Sequence, residues 1–166
     1  ILYDGIQLFT LLIENSKYTP SACLNFINTK FLKDINLLFL PGIIHEDQLF
    51  STLLYLQSNR VMCIHKDFFK RRLRSDSIMT RKFSLKNIDS YFIITDRLFT
   101  YASEHTETRY IVDKHLSKML NAAVWLSYKM PLKDRLYIAR RCIKDYKRYV
   151  SGKNILILLF KSFLKK

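Results

Sequence analysis

Phe39-Leu40-Pro41-Gly42-Ile43-Ile44-His45-Glu46-Asp47-Gln48-Leu49-Phe50 is the stretch on which the reading of this chain turns. Pro41-Gly42 is a turn signal, because proline presets φ and glycine supplies a positive φ at the next position. After His45-Glu46-Asp47 comes a run, residues 48–57, in which Leu49, Phe50, Leu53, Leu54 and Leu56 make a helical apolar face. Glu46 stands three residues before Leu49 and four before Phe50; Asp47 stands three before Phe50 and seven before Leu54. Both carboxylates therefore extend the inward-facing stripe of the helix at its N-terminal end. Acids there cap free N–H groups and complement the helix dipole. A carboxylate aimed at the interior also suits a general base at the edge of a pocket.

Working outward, residues 4–16 predict a helix with Ile6, Phe9, Leu12 and Ile13 on one face. Residues 15–20 break it, 22–28 suit a short strand, and 29–35 a short helix. Beyond residue 57, Ser58-Asn59 ends the helix, residues 61–64 read as a strand, 68–73 as extended chain, and Arg74-Ser75-Asp76-Ser77 as a loop. From about residue 84 the pattern is helical, over 85–105, 107–128, 132–150 and 155–164. Pro131 is placed just inside the third of these, where proline is tolerated, and Ser151-Gly152 separates the last two. The expected class is α/β and mostly helical: a small α/β portion at 1–80, then a basic helical extension at 81–166. So small a sheet is usually incomplete without a partner, and its open edge favours self-association into a homo-oligomer.

Composition narrows the function classes. Of 166 residues, 49% are hydrophobic and 14% aromatic, which excludes a disordered chain; three glycines and three prolines exclude a collagen-like or low-complexity one. Cys23, Cys63 and Cys142 are odd in number and lack CxxC spacing, so a disulfide framework and a zinc knuckle are not expected and a reducing compartment is. His45, His65, His105 and His115 have no metal-binding spacing; no glycine-rich phosphate loop, GxSxG motif or Asp-x-Asp occurs. The longest apolar run, residues 155–160, has six residues, where a membrane-spanning helix needs roughly 20. No secretory leader is read at the start.

The net charge of +14 is unevenly placed: residues 1–60 sum to −1 and residues 61–166 to +15. Such a surface seeks phosphate, on nucleic acid, anionic lipid or a phosphorylated small molecule. Lys70, Arg72 and Arg74 would share one side of an extended strand, with Ser75 and Ser77 adding hydroxyl donors; the same charges also protect an edge strand from aggregation. In the third C-terminal helix Arg140, Arg141, Lys144, Lys147 and Arg148 lie beside Ile138, Cys142, Ile143 and Tyr146, and the apolar block after it ends in lysines. That pairing suits peripheral contact of residues 131–166 with a membrane surface, or plain helix packing.

The segment from Phe39 to Phe50, followed by Arg72-Leu73-Arg74-Ser75-Asp76-Ser77-Ile78-Met79, resembles the second half of a family 2 glycosyltransferase of the GT-A fold. Bacterial members read approximately F-x-x-G-x-x-x-E-D-x-x-F and then R-x-R-x-x-S-I-M. Asn25-Phe26-Ile27-Asn28-Thr29-Lys30-Phe31-Leu32 resembles the family's strand-to-helix segment before the acidic motif, so the resemblance covers about residues 20–90. It implies that Asp47 is the catalytic base for an inverting transfer, that Glu46 positions base or acceptor, and that Arg72, Arg74 and Ser77 approach the donor diphosphate. Phe69 keeps one of the aromatic residues that precede R-x-R in relatives, while Lys70 and Arg71 replace others. The family's nucleotide-binding strands and metal-binding Asp-x-Asp have no counterpart here. The divalent metal (Mg²⁺ or Mn²⁺) of the full-length enzyme therefore has no ligands in this chain, which is not expected to turn over a nucleotide sugar alone.

The resulting expectation is the acceptor-side part of a GT-A-like glycosyltransferase, using a UDP- or other nucleotide-linked sugar. The acceptor is a polysaccharide or glycolipid precursor, and the setting is cytoplasmic, at the inner face of the membrane. The alternative is a basic helical nucleic-acid-binding protein or a non-catalytic interaction module, which leaves Glu46 and Asp47 without a role.

Overall fold

The computed structural model describes residues 1–66, 68–70 and 82–160. Two two-residue strands, β1 (Leu2–Tyr3) and β2 (Val61–Met62), pair antiparallel with Leu2 opposite Met62. The described residues otherwise form seven α-helices and short turns: α1 (Gly5–Glu14), α2 (Thr29–Asp34), α3 (Glu46–Gln57), α4 (Leu85–Glu104), α5 (Arg109–Leu126), α6 (Leu132–Asp145) and α7 (Gly152–Phe160). The chain is thus mostly helical.

Local chemistry starts the helices. Asp4 Oδ1 accepts the amides of Ile6 (2.9 Å) and Gln7 (3.4 Å) ahead of α1, and Asn28 Oδ1 accepts that of Phe31 (3.1 Å) ahead of α2. These bonds fill donors that a helix start leaves open. The apolar stripes then meet in one core. Phe9 of α1, Ile88 and Leu98 of α4, Leu116 and Leu120 of α5, Ile138 of α6 and Leu158 of α7 are fully buried in a single cluster. Each such side chain contributes about 1.5–3 kcal/mol. A smaller cluster of Leu37, Phe50 and Leu54 holds α2 through Phe31, Leu32 and Ile35, with Phe39 stacked on Phe50 at 4.2 Å.

α1 crosses the end of α3 at Gly5. The Gly5 amide donates to Ser58 O at 2.8 Å. A Cβ there would stand 2.0 Å from Tyr55 O and 2.5 Å from Ser58 O, both backbone atoms that cannot swing aside. Gly5→Ala is expected to lower unfolding free energy by about 2 kcal/mol, read as a drop in the denaturant midpoint at unchanged slope. Gly152→Ala, with nothing within 4 Å of the added methyl, is the matched control and leaves the midpoint unchanged or higher.

Four boundaries depart from expectation. Residues 22–28 contain a 3-10 turn, Ala22–Leu24, rather than a strand. Asn25 donates to Ser21 O from Nδ2 (2.8 Å) and to Ala22 O from its amide (3.1 Å), so local bonds occupy groups that a ladder would need. The strand expected at 61–64 shrinks to two residues, the length of its partner β1. α6 stops at Asp145, because Tyr146, Tyr149 and Val150 leave the helix to fill the core; Pro131 accordingly sits at its N-cap rather than inside it. α7 begins at Gly152 instead of residue 155, and the Asn154 amide donates to Ser151 O (3.0 Å) and Oγ (3.3 Å). No helix among the described residues is long and apolar enough to cross a membrane.

Candidate functional site

The Pro41-Gly42 turn has φ +84° at Gly42, as a type II turn requires. Three residues later His45 takes a left-handed conformation, φ 65°, and aims the chain into α3. For a non-glycine residue this conformation is uncommon, and a surrounding network holds it. Asn87 Oδ1 accepts from the amide (2.9 Å) and hydroxyl (2.8 Å) of Ser84, the cap of α4. The Asn87 amide nitrogen is therefore the donor to His45 Nε2, 3.0 Å away, and the ring proton rests on Nδ1. The imidazole stacks on Tyr91 at 4.7 Å. Burial holds the His45 pKa below its ordinary value against the opposing pull of Glu46 and Asp47, so the ring is neutral near pH 7.

This arrangement makes a direct prediction. In Asn87→Asp the new carboxylate cannot donate, so Nε2 must carry a proton to keep the bond. The His45 pKa is expected to rise above its value in the unaltered protein, as followed by NMR titration of the ring.

Glu46 and Asp47 occupy the first turn of α3, where the dipole favours negative charge. Asp47 Oδ2 accepts the amide of Ala22 at 3.4 Å, the one hydrogen bond described for either carboxylate. Both acids are half-buried and line an open cleft of about 1670 Å³. Its walls come from four parts of the chain: residues 19–23, the start of α3, the start of α4 with Phe83 and Tyr91, and the junction of α5 and α6 from Trp125 to Pro131. Trp125 and Tyr128 stand 5.9 Å apart on that last wall, and Lys129 lies over the Tyr128 ring at 5.7 Å. The carboxylates and the aromatic wall thus share one space large enough for a saccharide-sized molecule.

Of the site residues expected from sequence, Glu46 and Asp47 are together in the cleft. Arg72, Arg74 and Ser77 lie outside the described residues. Phe69 and Lys82, described residues on either side of that stretch, both line the cleft. The sequence reading did not single out Asn87, Tyr91, Trp125 or Tyr128. The cap spacing Ser84-x-x-Asn87 and a tryptophan six residues before a helix-starting proline were the signals available. Among the described residues no group of three or more His, Cys, Asp or Glu could hold a metal ion; the carboxylate pair alone does not fit that purpose.

Compared with protein-family models, with curated proteins and with solved structures, the chain finds no match.

Proposed function

We propose that this chain is the acceptor-side part of an inverting glycosyltransferase of GT-A type, with Asp47 as general base. The observation that carries the reading is the Glu46–Asp47 pair at the start of a helix, opening into a cleft of about 1670 Å³, within the F-x-x-G-x-x-x-E-D-x-x-F spacing. Asp47 takes the proton of an acceptor hydroxyl as that oxygen attacks the anomeric carbon; the bond from that carbon to the donor's diphosphate oxygen breaks, and the diphosphate leaves with its electron pair. Glu46 orients the acceptor. Arg72, Arg74 and Ser77 are assigned by the resemblance to the leaving diphosphate, where fixed guanidinium charge stabilises what develops.

Two further features support the reading. Trp125 and Tyr128 line the same cleft as the two acids, and an aromatic face, with its negative quadrupole charge, is a surface on which the C–H face of a sugar rests. Phe26 (93% exposed), Leu38, Met62, Ile64 and Phe68 are exposed apolar side chains. On the glycosyltransferase reading, the nucleotide-binding half is the protein that would cover such side chains. That half also carries the divalent metal, so no step is assigned to a metal on this chain.

The test is sugar transfer by the intact protein from a panel of nucleotide-linked sugars to saccharide and lipid-linked acceptors. Stereochemical inversion and loss of transfer in Asp47→Asn are the expected results. Transfer undiminished in that variant defeats the reading.

A further inference from the structure

We propose that the outer face of α6 is a docking surface for an anionic lipid bilayer. The helix has three sides. Arg135, Ile138, Ala139 and Cys142 are buried against the core. Asp134, Arg141 and Asp145 form one flank, where Arg141 pairs with Asp145 at 2.8 Å. The third sector, roughly 120° wide at 100° per residue, carries Leu132, Leu136 and Ile143 along one edge and Lys133, Arg140 and Lys144 along the other. All six are exposed, Leu136 by 53% and Ile143 by 55%. No acid lies in that sector, and among the described residues no ion pair engages its three cations.

The chemistry selects the occupant. A row of aliphatic side chains roughly 16 Å long gains nothing from a phosphodiester backbone, which would use the cations alone. Burial under another protein layer would strip water from three unpaired cations beside the apolar row, at a cost that the row does not offset. A bilayer interface accepts both halves: the leucines and isoleucine enter the acyl boundary, and the lysines and arginine meet anionic headgroups. The charge imbalance of the chain, +15 beyond residue 60, reinforces this face at longer range. Pro131 and Asp134, at the start of α6, also line the cleft, so docking sets the cleft rim beside the headgroups. The proposal does not rest on the glycosyltransferase reading and stands or falls separately from it.

The experiment is co-sedimentation of the chain with vesicles of phosphatidylcholine alone and of phosphatidylcholine mixed with phosphatidylglycerol. Binding is expected to the mixed vesicles and not to phosphatidylcholine. It should weaken about tenfold in Leu136→Glu/Ile143→Glu and by a similar factor in Arg140→Glu/Lys144→Glu, and stay unchanged in Lys30→Glu/Lys33→Glu. That control carries the same net charge as the α6 reversal, at exposed positions on α2. Equal loss in the α2 control means net charge alone drives adsorption and overturns the proposal. So does retained binding in the Leu136/Ile143 variant, equal binding to phosphatidylcholine, or a chain dimer that the Leu136/Ile143 variant dissolves. A duplex oligonucleotide that displaces the chain from mixed vesicles at equal phosphate concentration overturns it as well. Helical circular dichroism is expected to be unchanged in all three variants, since every substituted side chain is exposed.

Discussion

On the proposed role of Asp47 as general base, Asp47→Asn is expected to slow sugar transfer about a thousandfold, the middle of the range that a positioned general base contributes and about 4 kcal/mol of transition-state stabilisation. Asparagine keeps the size and one carbonyl oxygen of the side chain, so the contact with the Ala22 amide survives. What is lost is the ability to accept the acceptor's proton. The fall should therefore appear in kcat, with KM for the acceptor nearly constant, and the acid limb of the pH–rate profile should vanish. Glu46→Gln, by contrast, is expected to raise the acceptor KM more than it lowers kcat, because a positioning group acts on substrate and transition state together. The folding cost of either change is the loss of one favourable charge at a helix start, about 0.3–1 kcal/mol, which thermal melting separates from the kinetic loss. Equal kcat losses at both positions would assign the base role to the pair rather than to Asp47.

The physical basis for choosing these two acids was legible in the sequence, and so was the helix that holds them. Apolar spacing placed Glu46 and Asp47 on the inner stripe of α3, the helices expected over 4–16 and 29–35 match α1 and α2 to within two residues, and Pro41-Gly42 marked a turn. Such features depend on a few consecutive residues. The opposite wall of the cleft depends on how α4 and α5 fold back as a pair and bring residues 125–131 against residues 45–48. No local pattern encodes that return. The strand expected at 22–28 failed for a related reason: a strand exists only by virtue of its neighbour, and Ser21 and Asn25 closed their own bonds first. The end of α6 was misjudged because helical periodicity continued through Tyr146 and Tyr149. The rings satisfy long-range partners instead: Tyr146 donates to Asp96 at 3.0 Å, and Tyr149 to Asp113 at 2.8 Å. His45 belongs to the same class, since its left-handed backbone is held by Asn87 and Tyr91 of α4.

Acid is expected to destabilise the fold through His115. The ring lies on α5 with its edge against Phe9 (5.4 Å) and Tyr18 (5.3 Å), and Nε2 is 3.4 Å from Thr52 Oγ1, which also meets the Tyr18 hydroxyl at 3.0 Å. It is 4% exposed. Burial, with a smaller contribution from Lys118, lowers its pKa from 6.5 to about 4. The folded state thus resists a proton that the unfolded chain takes up. Its neutral form contributes stability fully above pH 6.5, and that contribution falls as pH drops from 6.5 to about 4, by about 3 kcal/mol in all. Asp96 works in the opposite sense, since burial raises its carboxyl pKa and a proton there is bound more readily by the folded chain. His45, lowered like His115 but half exposed, adds to the acid loss. Comparison with His115→Gln isolates the buried ring, because glutamine retains a polar group near Thr52 and does not titrate. Urea midpoints measured from pH 7 to pH 4 should fall in the unaltered chain and flatten in the variant, even if the variant is the less stable of the two at pH 7. Parallel slopes would mean that groups other than His115 carry the acid loss.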